Sequence, residues 1–92
     1  MQKRILIVDD EPAIRDMVAF ALRKADFTPL HAGDSSEANI AIAERVPDLI
    51  LLDWMLPGTS GIDLVRRWRR EDITREIPII MLTARGEEND RV

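Results

Sequence analysis

Two runs of consecutive apolar residues, ILIV at residues 5–8 and LILL at residues 49–52, each lead directly into an aspartate. Runs without polar alternation are typical of parallel strands that are covered on both faces. Two further runs, FTPLHA at 27–32 and IPIIMLTA at 77–84, predict a second and a fourth strand. Pro29 favours an edge position for the second strand, because a missing N–H is tolerated at a sheet edge.

Segments with helical spacing separate these runs. Pro12 suits the first turn of the first helix, and Asp34 with Glu37 has capping-box spacing at the start of the second. The third helix follows a Pro- and Gly-rich loop after residue 56. The residues that we expect on the inner faces of the first and third helices are Ile14, Met17, Val18, Ala21 and Leu22, and Ile62, Val65 and Trp68.

This alternation predicts an α/β fold with a doubly wound parallel sheet. Strands that alternate with helices pair in parallel through right-handed crossovers, and the helices cover both faces. In such sheets functional groups collect at the carboxyl ends of the strands. Asp9 and Asp10 follow the first strand, Asp53 ends the third, and Thr83 ends the fourth. We therefore expect three acids and one hydroxyl at one edge of the sheet.

Carboxylates that lie close together repel one another, and a divalent cation relieves this repulsion. Mg²⁺ prefers hard oxygen ligands and commonly combines one or two carboxylates with a phosphate. Asp10 and Asp53 are the expected direct ligands, Asp9 binds directly or through water, and the Met55 backbone carbonyl is a further candidate. The Asp9–Asp10 pair taken alone is equally consistent with acids that cap a helix.

A carboxylate beside such a cation can attack phosphorus and hold it as an acyl phosphate. Asp53 is the candidate nucleophile, because it alone leads into a tight Pro-Gly turn with open space above it. Thr83 is expected to donate its hydroxyl to a phosphoryl oxygen, and the backbone N–H groups of Ala84 and of the turn at Trp54 are further candidate donors.

Composition and charge bound the other possibilities. The chain has 92 residues, enough for one small domain, and its 46% hydrophobic and 33% charged residues are typical of a globular protein. It contains no cysteine, which excludes thiolate metal sites. The net charge of −4 disfavours direct nucleic-acid binding. The arginine-rich stretch at residues 66–71 does not change this, since Trp68 is expected to pack inward. We expect a cytoplasmic domain without a membrane span.

The stretches ILIVDDEP, PDLILLDWMLPGTSGIDL and IPIIMLTA resemble the receiver domain of bacterial two-component response regulators, over the whole chain. The resemblance implies a flavodoxin-like sheet of order 2-1-3-4 and a non-enzymatic signalling function. It implies that Asp53 is the phospho-acceptor, that Asp9, Asp10 and the Met55 carbonyl serve Mg²⁺, and that Thr83 is the switch hydroxyl.

The same resemblance implies partners. A sensor histidine kinase would supply the phosphoryl group, and a winged-helix DNA-binding domain of the full-length regulator would bind DNA as a dimer after phosphorylation. The similarity is greatest to the branch of the family that controls transcription of the phosphate regulon.

We expect residues 1–92 to form a receiver that ends before the fifth strand, its lysine and the last helix, all of which the resemblance would require. Lys3 and Lys24 fall at the opposite pole and cannot replace that lysine, so we expect weakened phosphoryl transfer. The edge of the fourth strand, 79–82, would then be open to pairing with another chain.

The sequence can be compared with the requirements of three other functions. An inert or swapped receiver fragment fits the same residues. An aspartyl-nucleophile phosphohydrolase would require an acid two residues after Asp53, where the chain has Met55. A flavin-binding module would require a phosphate-cradling loop after the first strand, where the chain has DDEP.

Overall fold

A computed structural model describes residues 2–82 of the chain. The elements in chain order are β1 (Arg4–Val8), α1 (Pro12–Lys24), β2 (Thr28–Ala32), α2 (Ser35–Glu44), β3 (Leu49–Asp53), β4 (Met55–Leu56), β5 (Thr59–Ser60), α3 (Gly61–Arg69) and β6 (Ile79–Leu82). Within these residues no helix is both long enough and apolar enough to cross a bilayer. The expected helix starts are confirmed, with Pro12 in the first turn of α1 and the Asp34 side chain capping α2.

The four longer strands form one parallel sheet of order β2-β1-β3-β6. This confirms the doubly wound α/β class and the predicted order, in which β6 is the fourth predicted strand. β2 lies at an edge, as Pro29 indicates, and β6 forms the other edge of the described sheet. The crossovers bring the carboxyl ends of all four strands to one side of the molecule.

The main core lies between the sheet and the helices α2 and α3. Its buried members include Leu6, Val8, Ile50 and Leu52 of the sheet, Ala38 and Ile42 of α2, and Leu64 and Trp68 of α3. Trp68 is 1% exposed, as its helical position predicts, and its indole N–H donates to Asn39 Oδ1 at 2.9 Å. The inner face of α3 centres on Leu64 rather than on Ile62 and Val65, which are half-buried.

The expected apolar face of α1 is buried less completely than the pattern indicates. Ala19 is buried, whereas Met17 is 62% exposed and Ala21 is also exposed. Alternation along β1 turns Ile5 and Ile7 away from the main core. In the part of the chain that the structure describes, α1 is the one helix on this face of the sheet, which leaves its outward-turned side chains uncovered.

The segment after Asp53 is more ordered than the predicted loop. β4 and β5 form a short antiparallel hairpin, with Met55 opposite Ser60 and Leu56 opposite Thr59. Gly58 in its turn has φ of +79°, a conformation that glycine adopts at little cost. The hairpin delivers the chain directly to the start of α3.

Candidate functional site

The strand register gathers the predicted acidic residues at one point. Val8 at the end of β1 is level with Leu52, so the next residues, Asp9 and Asp53, lie side by side at the carboxyl edge of the sheet. Carboxylate oxygens of Asp9, Asp10 and Asp53 lie within 4.8 Å of one another. The structure therefore brings together all three predicted acids.

Asp9 is fixed by hydrogen bonds and is 5% exposed. Its Oδ1 accepts the backbone N–H of Glu11 at 2.9 Å, and its own N–H donates to the Ala32 carbonyl at 3.1 Å. A side-chain bond to the backbone two residues ahead is an Asx turn, which bends the chain from β1 toward α1. Asp10 lies within this bend and is exposed.

Asp53 is the last residue of β3 and is 1% exposed. It lines, with Asp9, a hollow of about 280 Å³ whose other walls include Ile14, Val18 and Leu82. A small group such as a phosphoryl moiety fits in this volume. The site thus combines two buried carboxylates with one solvent-facing carboxylate at the mouth of a hollow.

Gly61, the first residue of α3, packs against the end of β3. Its N–H donates to the Trp54 carbonyl at 2.7 Å. A Cβ at this position would lie 2.5 Å from the Asp53 carbonyl oxygen and 3.1 Å from that of Trp54. Only glycine allows α3 to approach the Asp53 backbone this closely.

The donor set fits a magnesium ion. Three carboxylates that converge within 4.8 Å offer the hard oxygen ligands that this ion prefers, and two of them are withdrawn from water. Without a cation, the charges would repel one another in a region that water screens poorly.

The remaining predicted residues differ in what the structure shows of them. Met55 begins β4, two residues after Asp53, and is 64% exposed. Trp54 is 42% exposed beside Asp53. Thr83 and Ala84 lie outside the described residues. Asp53 is level with Leu82, the last residue of β6.

Two residues at the site escaped the sequence reasoning. In the sequence, Gly61 looks like one more glycine of the loop before the third helix. A glycine at the start of a helix can nevertheless indicate that the helix backbone approaches another segment closely. Arg15, whose guanidinium reaches the Asp9 carbonyl, carries no sequence signal, because its contact depends on how α1 leaves the sheet.

The sequence profile of the response regulator receiver domain matches residues 5–92, and the chain therefore belongs to this family. It is 58% identical over 90 residues to the phosphate regulon transcriptional regulatory protein PhoB of Pseudomonas aeruginosa, covering 98% of this chain and 39% of that protein. Over all 92 residues it is 55% identical to PhoB of Escherichia coli, of which it covers 40%.

The fold is likewise similar to a solved receiver. The N-terminal domain of a response regulator receiver protein from Methanoculleus marisnigri JR1 superposes with a TM-score of 0.88 at 34% identity, covering 96% of this chain and 72% of that one. The chain spans about two fifths of the length of its curated PhoB relatives. These matches identify a phospho-accepting signalling family rather than a family of enzymes.

Proposed function

We propose that Asp53 accepts a phosphoryl group with the help of Mg²⁺ and thereby switches a transcriptional regulator. The observation that carries the proposal is the convergence of Asp9, Asp10 and Asp53 within 4.8 Å at the carboxyl edge of a parallel sheet. Helix capping by Asp9 or Asp10 is not what the structure shows, since the N-cap residue of α1 is Glu11. Helix capping also does not account for a third acid that is buried at the end of another strand.

Asp53 would act as the nucleophile. One of its carboxylate oxygens forms a bond to phosphorus while the bond from phosphorus to the donor breaks, and the product is an acyl phosphate. The hollow that Asp53 lines provides space for the donor group. Gly61 allows the start of α3 to pack closely against the backbone of Asp53.

Asp9, Asp10, Asp53 and the Met55 carbonyl would hold the magnesium ion, which neutralises charge on the phosphoryl oxygens when it is bound. Asp9 is presented by its Asx turn, and Asp10 reaches the site from the solvent side. Thr83, which follows Leu82 in the sequence, is proposed as the switch hydroxyl that contacts a phosphoryl oxygen.

The similarity to PhoB supports a place in phosphate-regulon control, in the cytoplasm. In this proposal a sensor histidine kinase donates the phosphoryl group from a phosphohistidine. A winged-helix domain of the full-length regulator binds DNA, and the phosphorylated receiver dimerises. Direct DNA contact by residues 1–92, the receiver itself, is not part of the proposal, because the net charge is −4 and Trp68 is buried rather than free to stack on bases.

The proposal is tested with acetyl phosphate and Mg²⁺, followed by intact-mass measurement. The chain should gain the mass of one phosphoryl group, and Asp53→Asn should gain none, because an amide is not a nucleophile of this kind. Asp16→Asn, which removes an exposed acid from α1, is the matched control and should be labelled like the wild type. Equal labelling of Asp53→Asn and the wild type would contradict the proposal.

A further inference from the structure

Arg15 links α1 to the acidic corner of the site. Its Nη1 donates to the backbone carbonyl of Asp9 at 2.5 Å, across six positions of the chain. This carbonyl lies at the point where β1 gives way to the bend that carries Asp9 and Asp10. The bond therefore acts on the backbone that carries two of the three carboxylates proposed to bind magnesium.

The guanidinium also rests on the loop between β2 and α2. A Cβ on Gly33 would lie 3.3 Å from Arg15 Nη1 and 3.3 Å from Glu37 Oε1. Glu37 is itself anchored, since its Oε1 accepts the Gly33 N–H at 2.6 Å and its N–H donates to Asp34 Oδ1 at 2.8 Å. Arg15 is thus held between the capped start of α2 and the Asp9 carbonyl.

Stability alone does not account for an arginine at this position. Its Nε is buried and has no hydrogen-bond partner among the described residues. A buried donor without a partner lowers stability, so the position carries a penalty that an apolar side chain would avoid. The contact made by Nη1 requires a long side chain with a hydrogen-bond donor at its end.

We propose that Arg15 is a positioning residue that fixes the Asp9–Asp10 backbone in the geometry required for Mg²⁺ binding. The inference rests on the proposed magnesium site and deepens it. Electrostatics predicts the opposite sign: removing a cation near an acidic cluster should strengthen binding of another cation. Positioning predicts weaker binding, so the direction of the change separates the two explanations.

The test is calorimetric titration of Mg²⁺ into the full chain and its variants, without any phosphodonor. Arg15→Met should weaken Mg²⁺ binding about tenfold, the scale typical of groups that orient metal ligands. Arg15→Lys keeps the charge and one donor, and should fall between Met and the wild type. Gly33→Ala leaves every charge in place but crowds the guanidinium, and should weaken binding about twofold to threefold.

Arg23→Met is the matched control, because it removes the same charge from the exposed last turn of α1 and leaves helix propensity nearly unchanged. It should bind Mg²⁺ like the wild type. Urea unfolding of each variant shows whether that variant is folded. If Arg15→Met is unfolded, the binding of Mg²⁺ by Arg15→Lys and Gly33→Ala decides the outcome. If Arg15→Met binds Mg²⁺ as tightly as the wild type, or more tightly, the inference about Arg15 is wrong, whereas the proposed magnesium site is unaffected. If the wild type itself binds no Mg²⁺, the proposed magnesium site fails as well.

Discussion

Gly61→Ala is the substitution for which the structure gives the sharpest expectation. The new methyl carbon would lie 2.5 Å from the Asp53 carbonyl oxygen, 2.9 Å from Met81 Cε and 3.1 Å from the Trp54 carbonyl oxygen. Carbon and oxygen atoms do not normally approach closer than 3.0 Å, so the Asp53 carbonyl must move by about 0.5 Å. Two of the three obstacles are backbone atoms, which cannot rotate away as a side-chain end can.

The magnitude follows from two opposing effects. Overpacking of this kind costs about 1–3 kcal/mol. Alanine recovers about 0.4–1 kcal/mol, because it reduces the freedom of the unfolded chain relative to glycine. A clash with backbone atoms places the first effect near its upper end, so we expect a net loss of about 2 kcal/mol in the free energy of unfolding. The displaced carbonyl belongs to Asp53, and phosphorylation by acetyl phosphate should therefore slow as well.

The assay is urea unfolding combined with the rate of phosphoryl-group gain by mass spectrometry. With a slope of about 1 kcal/mol/M for a small domain, the midpoint should fall by about 2 M. Gly58→Ala is the control: nothing lies within 4 Å of its Cβ, but its φ of +79° costs alanine about 1 kcal/mol. It should destabilise the chain without slowing phosphorylation. A Gly61→Ala chain with wild-type stability and wild-type rate would refute the reasoning.

Two further predictions concern stability and association. Asp34→Ala removes the side-chain cap of α2 and should lower the free energy of unfolding, measured in urea, by about 1 kcal/mol. Ser36→Ala changes an exposed position of the same turn and should leave the free energy of unfolding nearly unchanged. Equal effects of the two substitutions would argue against the cap. Ile80 is 53% exposed on β6, at an edge of the described sheet, and Ile80→Lys should reduce self-association of the 92-residue chain in sedimentation. Ile73→Lys removes an isoleucine outside the strands that is 66% exposed, and it should not reduce self-association. A wild-type chain that stays monomeric at high concentration would show the edge prediction to be wrong.

Much of the fold can be predicted from the spacing of apolar residues and from the positions of proline and glycine. Continuous apolar runs predict β1 and β3, and Pro29 correctly places β2 at an edge. The uncovered side of α1 could not be predicted in this way, because the exposure of Met17 depends on what else packs on that face of the sheet. The β4–β5 hairpin was missed because two-residue strands have no measurable alternation.

Some residues of the site could likewise be predicted from the sequence, and others could not. Asp9, Asp10 and Asp53 were predictable, since the carboxyl ends of parallel strands must meet at one edge of the sheet. The contacts of Arg15 and Gly61 were not, because each depends on the angle and the distance at which a helix leaves or meets the sheet. Residues that carry the chemistry were thus visible in the sequence, and residues that hold them in place were not.

The most direct test of cation-dependent phosphorylation at Asp53 is to locate the modified residue in the unaltered chain. The chain is incubated with acetyl phosphate in Mg²⁺ or in EDTA, and borohydride then reduces any acyl phosphate to homoserine, which peptide mass spectrometry locates. The account predicts homoserine at position 53 in Mg²⁺ and little or none in EDTA. Homoserine at position 9 or 10, or equal conversion of Asp53 in both conditions, would contradict it.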